Sequence, residues 1–168
     1  MTTLDPPTIV LFYKSTDQKT GYLSQWYLSP FRDENGVEYN CAEQYMMAEK
    51  AKLFHDNVSL KKIMAERNPI CQKQLGRTVS GFCNRLWLQH RENIVKKANR
   101  LKFQQHPDLM QRLCSTRGLI AEASPSDLIW GIGMSKYNLN VYDSSKWKGL
   151  NLLGNILTSL RDEFRRQL

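Results

Sequence analysis

The segment from Asn40 to Phe54 constrains the fold more than any other part of the chain. It reads NCAEQYMMAEKAKLF, contains neither glycine nor proline, and is rich in residue types that favour a helix. Asn40 is a residue type that caps helices, and Glu43, three residues later, completes a capping-box pattern. We therefore expect a helix that Asn40 caps and that continues to Phe54.

Two charged residues lie within the apolar face of this predicted helix. At roughly 100° per residue, Glu43 and Lys50 fall in the middle of one apolar arc, because positions seven apart return to within about 20° of each other. The apolar members of the arc are Met46, Met47, Ala51, Leu53 and Phe54. Burying unpaired charges is unfavourable by several kcal/mol. The two side chains are therefore expected to pair with other groups or to line a pocket, unless Lys50 extends past its neighbours into water.

The sequence also contains patterns typical of short strands. The apolar run from Thr8 to Tyr13 predicts a buried strand, and so does the run from Leu119 to Ala123. Between Phe31 and Tyr39, the pair Asn35-Gly36 is a strong hairpin signal. We expect two further short strands, one on each side of that turn.

Further segments carry helical patterns. They are Asp56 or Asn57 to Glu66, Ile70 to Leu75 closed by Gly76, Asn84 to Gln105, a short helix opened by Pro107 and ending near Gly118, and Leu150 to Phe164. Helices outnumber strands and do not alternate strictly with them, which indicates an α+β fold. The chain has 168 residues, 41% of them hydrophobic. We therefore expect one compact, mostly helical domain over residues 1–168, in which residues 1–7 form a disordered tail.

The charge of the chain favours anionic partners. The formal net charge is +8, from 24 Lys and Arg against 16 Asp and Glu. Such a surface attracts phosphorylated metabolites, nucleotides or nucleic acid. The cations of the predicted helix at Asn84 to Gln105 form either a binding face for a polyanion or an ordinary solvated face: Arg91, Lys96, Lys97, Arg100 and Lys102.

Other sequence features bear on location and on metals. We find no apolar run of about twenty residues and no secretory pattern at the N-terminus. The four cysteines are scattered, and neither they nor the three histidines have metal-ligand spacing. We expect a monomeric protein of the cytoplasm, or of the nucleus if the source is eukaryotic, with reduced thiols, no metal site and no membrane association.

A second candidate site is the segment from Ser124 to Ser135, which reads SPSDLIWGIGMS. Asp127 can bind ribose hydroxyls or a base edge, and Trp130 can stack on a base. The two glycines permit close approach of a ligand, although G-x-G lacks the third glycine of a dinucleotide fingerprint. The alternative to a ligand-binding role is that this segment forms a bend in which the Trp130 indole is packed. A third candidate feature is a cluster of aromatic residues, Tyr22, Trp26 and Tyr27. The alternative to a binding role is that these side chains are buried in the core.

The order and spacing of these motifs resemble the NADAR family, also called YbiA-like, from Leu11 to about Arg165. The matching motifs are YLSQW, AEQYMMAEKA, the dipeptide GR, a tryptophan, LKF, SDLIWGIG and NLLGNILTSLR. The resemblance implies a compact, mostly helical α+β fold. It also implies hydrolysis of the N-glycosidic bond between a base and ADP-ribose or a ribose phosphate. Some members act on aminopyrimidine intermediates of riboflavin synthesis, and others remove ADP-ribose from guanine, including guanine in DNA.

By position, the resemblance assigns catalytic roles to Glu43, Lys50 and Asp127. It assigns substrate binding to Tyr22, Ser24, Gln25, Trp26, Trp87, Trp130 and Gly131. We interpret the matches in the closing motif as structural: Asn151, Gly154 and Arg161. Where the family usually has F-S-N-F, this chain has Leu23-Ser24-Gln25-Trp26, so the amide is carried by a longer side chain.

We therefore predict an N-glycosidase that removes ADP-ribose from guanine, free or in DNA or RNA, without a metal or redox cofactor. Glu43 is expected to serve as acid and base, with a pKa raised by its partly apolar surroundings. Lys50 is expected to form a Schiff base with the opened ribose. One alternative is hydrolysis of a phosphoribosylamino-pyrimidine of riboflavin biosynthesis. The other is a non-catalytic module that binds ADP-ribose or nucleic acid.

Overall fold

The computed structural model describes residues 8–168, so the predicted tail at residues 1–7 lies outside the described residues. The chain divides into two compact units. The central unit is Gln25–Met110, and the described part of the terminal unit combines residues 8–24 with Gln111–Leu168. The predicted α+β class is confirmed, because helices dominate the described part of the chain and its strands are short.

The elements follow one another as helices interrupted by short strands. In chain order they are β1 (Ile9–Phe12), β2 (Phe31–Arg32), β3 (Glu38–Tyr39), α1 (Ala42–Leu53), α2 (Asn57–Ala65), α3 (Pro69–Arg77), α4 (Asn84–Gln105), α5 (Pro107–Ser115), β4 (Leu119–Glu122) and α6 (Leu152–Gln167). Both predicted strands, the predicted hairpin and the long helix α4 are confirmed.

In the central unit, α1 is the helix around which the others pack. It contacts α2, α3 and α4, and most of its residues are buried. Strands β2 and β3 form the antiparallel hairpin in which Phe31 pairs with Tyr39. Gly36 supplies the positive φ of +77° that its turn requires. The rings of Phe31, Tyr39 and Tyr45 pack together with centroid separations of 4.9 to 6.0 Å, so the hairpin is fixed to α1.

The start of α1 differs from the prediction. The helix begins at Ala42, and its N-cap is Cys41, whose side chain makes no capping hydrogen bond. The prediction that Asn40 caps the helix is therefore wrong, because the Asn40 side-chain oxygen accepts instead from Gln72 Nε2 at 3.0 Å, while its amide nitrogen donates to the Arg67 carbonyl at 2.7 Å. In the predicted capping box, the side chain of Glu43 accepts a hydrogen bond from the backbone N–H of Asn40. In the structure, Gln44 Oε1 accepts from that N–H at 2.7 Å.

The second correction concerns α3, which is longer than the predicted turn. Asn68 caps it by accepting from the Ile70 N–H at 2.9 Å, and Pro69 occupies its first turn. Gly76 lies inside this helix rather than closing it. A Cβ at Gly76 would lie 1.9 Å from Met47 Sδ. The glycine therefore permits close packing of α3 on α1.

The terminal unit is built on a parallel pair of strands. Strands β1 and β4 pair in register from Ile9 with Leu119 to Phe12 with Glu122, and α6 packs on β4. Gly154 of α6 lies so close to β4 that a Cβ would be 2.2 Å from the Ile120 carbonyl oxygen. A buried cluster completes the core of this unit: Ala121, Ala123, Ile132, Met134 and Val141.

The cations of α4 do not form one solvated face. Lys102 has an exposed fraction of 0%, so the prediction that placed it on a basic surface is wrong. The reason is helical spacing, since Lys102 follows the buried residues Val95 and Ala98 by seven and four positions. Lys97 is exposed, and its Nζ lies 2.6 Å from Glu34 Oε1.

The Lys102 amine lies among aromatic rings. Its Nζ is 5.6 Å from the ring centroid of Tyr27 and 5.1 Å from that of Phe103. Burial lowers the pKa of Lys102 to about 7, an effect that the neighbouring Cys41 opposes. The folded protein therefore holds this amine partly neutral near pH 7, whereas an unfolded lysine is fully protonated there.

Stability is expected to increase with pH because of Lys102. Between the folded pKa of about 7 and the ordinary value of 10.5, the unfolded chain binds more protons, so the unfolding free energy gains up to about 1.4 kcal/mol per pH unit from this residue. Denaturant unfolding of wild type and Lys102→Met at pH values from about 7 to 9 measures the effect. The unfolding free energy of wild type minus that of Lys102→Met should rise with pH. For Lys97→Met, a control on the same helix, the same difference should stay constant. A constant difference for Lys102→Met as well would contradict the lowered pKa.

Two further findings concern residues 8–168 only. In this range no helix combines the length and apolar character needed to cross a membrane. Within the same residues, no three side chains of His, Cys, Asp or Glu are grouped so that they could hold a metal ion. The cysteines are free thiols, of which Cys41 is buried and Cys83 is exposed.

Candidate active site in the central unit

Glu43 lies in the first turn of α1 and is buried, with an exposed fraction of 6%. Its backbone N–H donates to the Gln25 carbonyl at 3.0 Å, which ties the start of the helix to the preceding segment. A carboxylate held in such surroundings has little freedom to reorient. The structure therefore supplies a fixed carboxyl group on the face of α1 that the sequence predicted.

Lys50 lies two turns after Glu43 on α1 and is half-buried. Its Nζ is 4.8 Å from the ring centroid of Phe82 and 5.4 Å from that of Trp87. Both separations fall within the roughly 6 Å over which an ammonium group is attracted to an aromatic face. The amine is thus held between two rings rather than extended into water.

The electrostatic surroundings of Lys50 favour the loss of its proton. Burial lowers the pKa of the Lys50 amine below the ordinary lysine value, the Glu43 carboxylate raises it, and Arg77 lowers it. Burial is the largest of these effects, and the net shift is downward. The charge of the Glu43 carboxylate, two helical turns away, opposes the effect of burial on the amine. A lysine with a lowered pKa is a better nucleophile near neutral pH, because more of it is unprotonated.

Aromatic side chains form the walls beside Lys50. Trp87, in the first turn of α4, is buried, with an exposed fraction of 8%. Phe82 is 46% exposed, and its ring packs on Phe54 with a centroid separation of 5.2 Å. Phe82 was missed by the sequence analysis because it lies in a loop, where no helical or strand period marks it. Its position directly after Gly81, whose φ is +72°, is the only local signal.

Gln25, a predicted binding residue, is fixed by a partner that the sequence did not reveal. Its Oε1 accepts from Asn99 Nδ2 at 2.8 Å, and its Nε2 lies 3.8 Å from Met46 Sδ. Asn99 is fully buried and also donates to the Val95 carbonyl at 2.9 Å. The pair sets the orientation of the longer amide that replaces the usual asparagine. Trp26 is half-buried in the same unit, with Lys73 Nζ 5.8 Å from its ring centroid.

The other predicted site residues belong to the terminal unit. They are Tyr22, Ser24, Asp127, Trp130 and Gly131. Tyr22 is 4% exposed, and the Arg112 guanidinium carbon lies 4.1 Å from its ring centroid. Burial raises the pKa of the Tyr22 hydroxyl, an effect that the charge of Arg112 opposes. Tyr22 is therefore held as a neutral, packed side chain, and its role in substrate binding stays a prediction.

Asp127 shapes the turn that carries Trp130. Its Oδ1 accepts from the Ile129 N–H at 2.9 Å and from the Trp130 N–H at 2.8 Å. The Trp130 carbonyl in turn accepts from the Leu153 N–H at 3.1 Å, in the first turn of α6. These contacts make the segment part of the framework that starts α6. A direct catalytic role for Asp127 stays a prediction.

Comparison with known proteins gives a consistent result. Residues 11–165 match the family model described as the NADAR domain. The chain is 44% identical over 161 residues to an N-glycosidase of Acanthamoeba polyphaga mimivirus, covering 92% of this chain and 95% of that protein. It is 29% identical over 157 residues to the N-glycosidase YbiA of Escherichia coli, covering 93% of this chain and 88% of that protein.

Two further comparisons concern fold and metabolic context. The fold resembles the NMR structure of E. coli YbiA with a TM-score of 0.78 and 26% identity, over 98% of this chain and 89% of that one. The chain is also 29% identical over 182 residues to the chloroplastic riboflavin biosynthesis protein PYRR of Arabidopsis thaliana. That match covers 96% of this chain but 28% of the plant protein.

Proposed function

Because this chain belongs to the NADAR domain family, we propose that it is an N-glycosidase, a hydrolase that cleaves the bond between a ribose carbon and a base nitrogen. The observation that carries the proposal is that one helix, α1, holds both a buried carboxyl group, Glu43, and an amine of lowered pKa, Lys50. The relatives named N-glycosidase support the same reaction class.

Glu43 suits the departure of the base. Cleavage of an N-glycosidic bond develops positive charge at C1′ and negative charge on the leaving nitrogen. A carboxyl group at a fixed position donates a proton to that nitrogen as the bond breaks, and it accepts a proton from water in the later step. Both transfers use one side chain, so no second acid is required.

Lys50 suits covalent attachment of the sugar. Glu43 donates its proton to O4′ as the ribose ring opens, which leaves an iminium carbon at C1′. The neutral amine of Lys50 adds to that carbon, and the surplus proton on its nitrogen returns to the Glu43 carboxylate. The base then departs with the proton from Glu43, and C1′ is left as a Schiff base with Lys50. Water adds to C1′, and the amine leaves with a proton. The resulting aldehyde recloses to the ribose hemiacetal, so one water is consumed for each base released.

The rings beside Lys50 offer flat apolar faces for the base or sugar. Stacking of a base on an aromatic side chain contributes about 1–3 kcal/mol. We therefore expect Phe82→Ala to raise KM roughly tenfold with a smaller change in kcat, because Phe82 contributes binding and no proton transfer. Steady-state kinetics of Phe82→Ala, Phe82→Tyr and Val58→Ala measure this. Phe82→Tyr should retain the wild-type KM, as should Val58→Ala, an exposed apolar control. An unchanged KM in Phe82→Ala would show that this ring does not contact the substrate.

For the substrate, we propose ADP-ribose linked to guanine, free or within DNA or RNA. The net charge of +8 supports a polyanionic substrate. A phosphoribosylamino-pyrimidine is the second candidate, favoured by the similarity to the riboflavin biosynthesis protein PYRR. The presence of both Glu43 and Lys50 speaks against the non-catalytic binding module.

Parallel assays separate these candidates. Wild type is incubated with an oligonucleotide that carries ADP-ribosyl-guanine and, separately, with the phosphoribosylamino-pyrimidine. Chromatography measures ADP-ribose released from the first substrate and free pyrimidine released from the second. We expect release from the oligonucleotide at a higher kcat/KM. Turnover of the pyrimidine alone would replace the proposed substrate with the second candidate. If neither is cleaved, the binding module becomes the better account.

Two cations of α4, the exposed Lys97 and the half-buried Lys96, provide a further distinction. Reversing the charge of Lys96 and Lys97 should weaken the affinity for an ADP-ribosylated oligonucleotide and leave hydrolysis of free ADP-ribosyl-guanine intact. A pure nucleic-acid module would lose its function entirely. Lys102 is left unchanged in this experiment because it is buried.

A further inference from the structure

A cavity of about 360 Å³ lies in the terminal unit, at the carboxyl ends of β1 and β4. Its lining includes Tyr13 and Lys14, which follow β1, and Ala123 and Pro125, which follow β4. Because the two strands are parallel, their carboxyl ends lie at the same edge, and ligands of parallel sheets bind outside that edge. The volume lies within the range of about 300–1,000 Å³ that is typical of small-molecule sites.

The side chains that line the cavity suit a phosphorylated aromatic compound. Tyr13 and Tyr137 present partly exposed rings, with exposed fractions of 43% and 82%. Lys14 and Lys136 contribute two positive charges, and Lys136 Nζ is 5.2 Å from the ring centroid of Tyr137. The aliphatic hydroxyls of the lining are those of Thr16, which follows β1, and Ser135, which follows Trp130 by five residues.

The acidic residue of the lining is engaged by its own turn. Asp17 Oδ1 accepts from the backbone N–H groups of Lys19 and Thr20, each at 2.9 Å. These two hydrogen bonds lower the pKa of the Asp17 carboxyl, and the charge of Lys136 lowers it further. With two lysines against one carboxylate, the lining keeps a net positive charge, which favours an anionic ligand.

Backbone hydrogen bonds hold the walls of the cavity in place. The Ala123 N–H donates to the Phe12 carbonyl at 2.7 Å, and the Ile132 N–H donates to the Glu122 carbonyl at 2.9 Å. The Tyr137 N–H donates to Ser135 Oγ at 3.3 Å. A site whose walls are already ordered requires little reorganisation on binding, so more of the contact energy appears as affinity.

We propose that this cavity binds the nucleoside diphosphate part of a ligand, with the base stacked on a tyrosine ring and the phosphates bound by Lys14 and Lys136. Two cations match two phosphate groups, and two rings match a base, whereas a sugar monophosphate would use only part of the lining. The choice of ADP-ribose as the ligand rests on the proposed function. The chemical class, an aromatic base joined to a diphosphate, rests on the lining itself.

Isothermal titration calorimetry with ADP, ADP-ribose and ribose 5-phosphate tests this assignment. We expect ADP and ADP-ribose to bind wild type with similar affinity, and ribose 5-phosphate to bind at least about tenfold more weakly, because it has no base to stack. The double variant Lys14→Gln/Lys136→Gln should raise the Kd for ADP at least about tenfold. Lys146→Gln, which removes a lysine of the same unit outside the lining, should leave that Kd unchanged.

A second pair of variants tests the stacking. Tyr137→Ala should weaken ADP binding and Tyr137→Phe should retain it, because the ring rather than the hydroxyl makes the contact. Thermal unfolding of each variant verifies that the fold is intact. The assignment is overturned if the double lysine variant binds ADP as tightly as wild type does. It is also overturned if ribose 5-phosphate binds as well as ADP, or if wild type binds none of the three.

Hydrolysis of ADP-ribosyl-guanine, measured on the same protein samples, separates this proposal from the proposed function. Lysine-dependent ADP binding without any hydrolysis would leave the cavity assignment standing and reject the enzymatic proposal. Hydrolysis with ADP binding that does not depend on Lys14 and Lys136 would do the reverse.

Discussion

Replacing Lys50 with alanine is expected to lower kcat by roughly a thousandfold or more, as loss of a nucleophile does in other enzymes. The amine, held at 4.8 Å from the Phe82 ring centroid, is the group that the account assigns to attack at C1′. Reduction of the wild-type reaction with borohydride should therefore attach the sugar to Lys50, detected by mass spectrometry of the peptide. Lys50→Arg should give no adduct, because a guanidinium group does not form the Schiff base.

The pH dependence of the same reaction follows from the lowered pKa of Lys50. The neutral amine is the reactive form, so kcat/KM should rise with pH through a pKa below the ordinary lysine value. Lys52→Ala is the matched control, because Lys52 lies on the same helix and its Nζ is bound to Glu49 Oε1 at 2.8 Å. It should retain activity and the adduct. If Lys50→Ala retains full activity and forms no adduct, Lys50 has no covalent role.

Replacing Glu43 with glutamine is expected to lower kcat by about 10²–10⁴, the usual range for loss of a general acid or base. The amide preserves the shape of the buried side chain but exchanges no proton. The loss should shrink for a substrate whose base is already cationic, such as an N7-methylated guanine, since that base leaves without protonation. Glu49→Gln, a surface acid of the same helix, is the control and should remain active.

Glu43→Gln should also change the pH profile. The carboxylate raises the pKa of Lys50, so removing its charge should lower that pKa further and shift the rising limb of kcat/KM to lower pH. A loss of activity that is equal for neutral and cationic bases would assign Glu43 an electrostatic role instead of proton transfer. An unshifted profile would contradict its interaction with Lys50.

Much of the site was predictable because it depends on local periodicity. Residues seven apart on a helix share a face, so Glu43 and Lys50 were expected on one side of one helix, and both belong to α1. The hairpin was predictable because its turn requires a residue with a positive φ, which the glycine of the pair Asn35-Gly36 supplies. The long helix α4 followed from the absence of breaking residues over Asn84 to Gln105.

The features that the sequence did not reveal depend on tertiary contacts. Asn40 has the right side chain for a cap, but its side-chain oxygen accepts from Gln72 Nε2 instead. Lys102 belongs to a charged run, yet its helical position faces the core. Gly76 matches a helix end, but packing against Met47 keeps it inside α3. In each case a partner distant in sequence decides between two locally reasonable arrangements.

The remaining gap concerns residues in loops. Phe82 contacts the amine that the account makes central, yet nothing in the periodicity of the flanking helices marks it. The cavity at the ends of β1 and β4 likewise brings together Tyr13 and Tyr137, which are far apart in sequence. Loop residues acquire their roles from the scaffold that positions them, so only the fold identifies them.

The most direct test measures ADP-ribose release from one ADP-ribosylated DNA oligonucleotide by wild type, Glu43→Gln, Lys50→Ala and the double variant. The two groups serve one reaction, so their losses should not multiply. The double variant should be no more than about tenfold slower than the slower single variant. Turnover by the double variant close to that of wild type, or a loss equal to the product of the two single losses, would contradict the account in which Glu43 and Lys50 act as one catalytic pair.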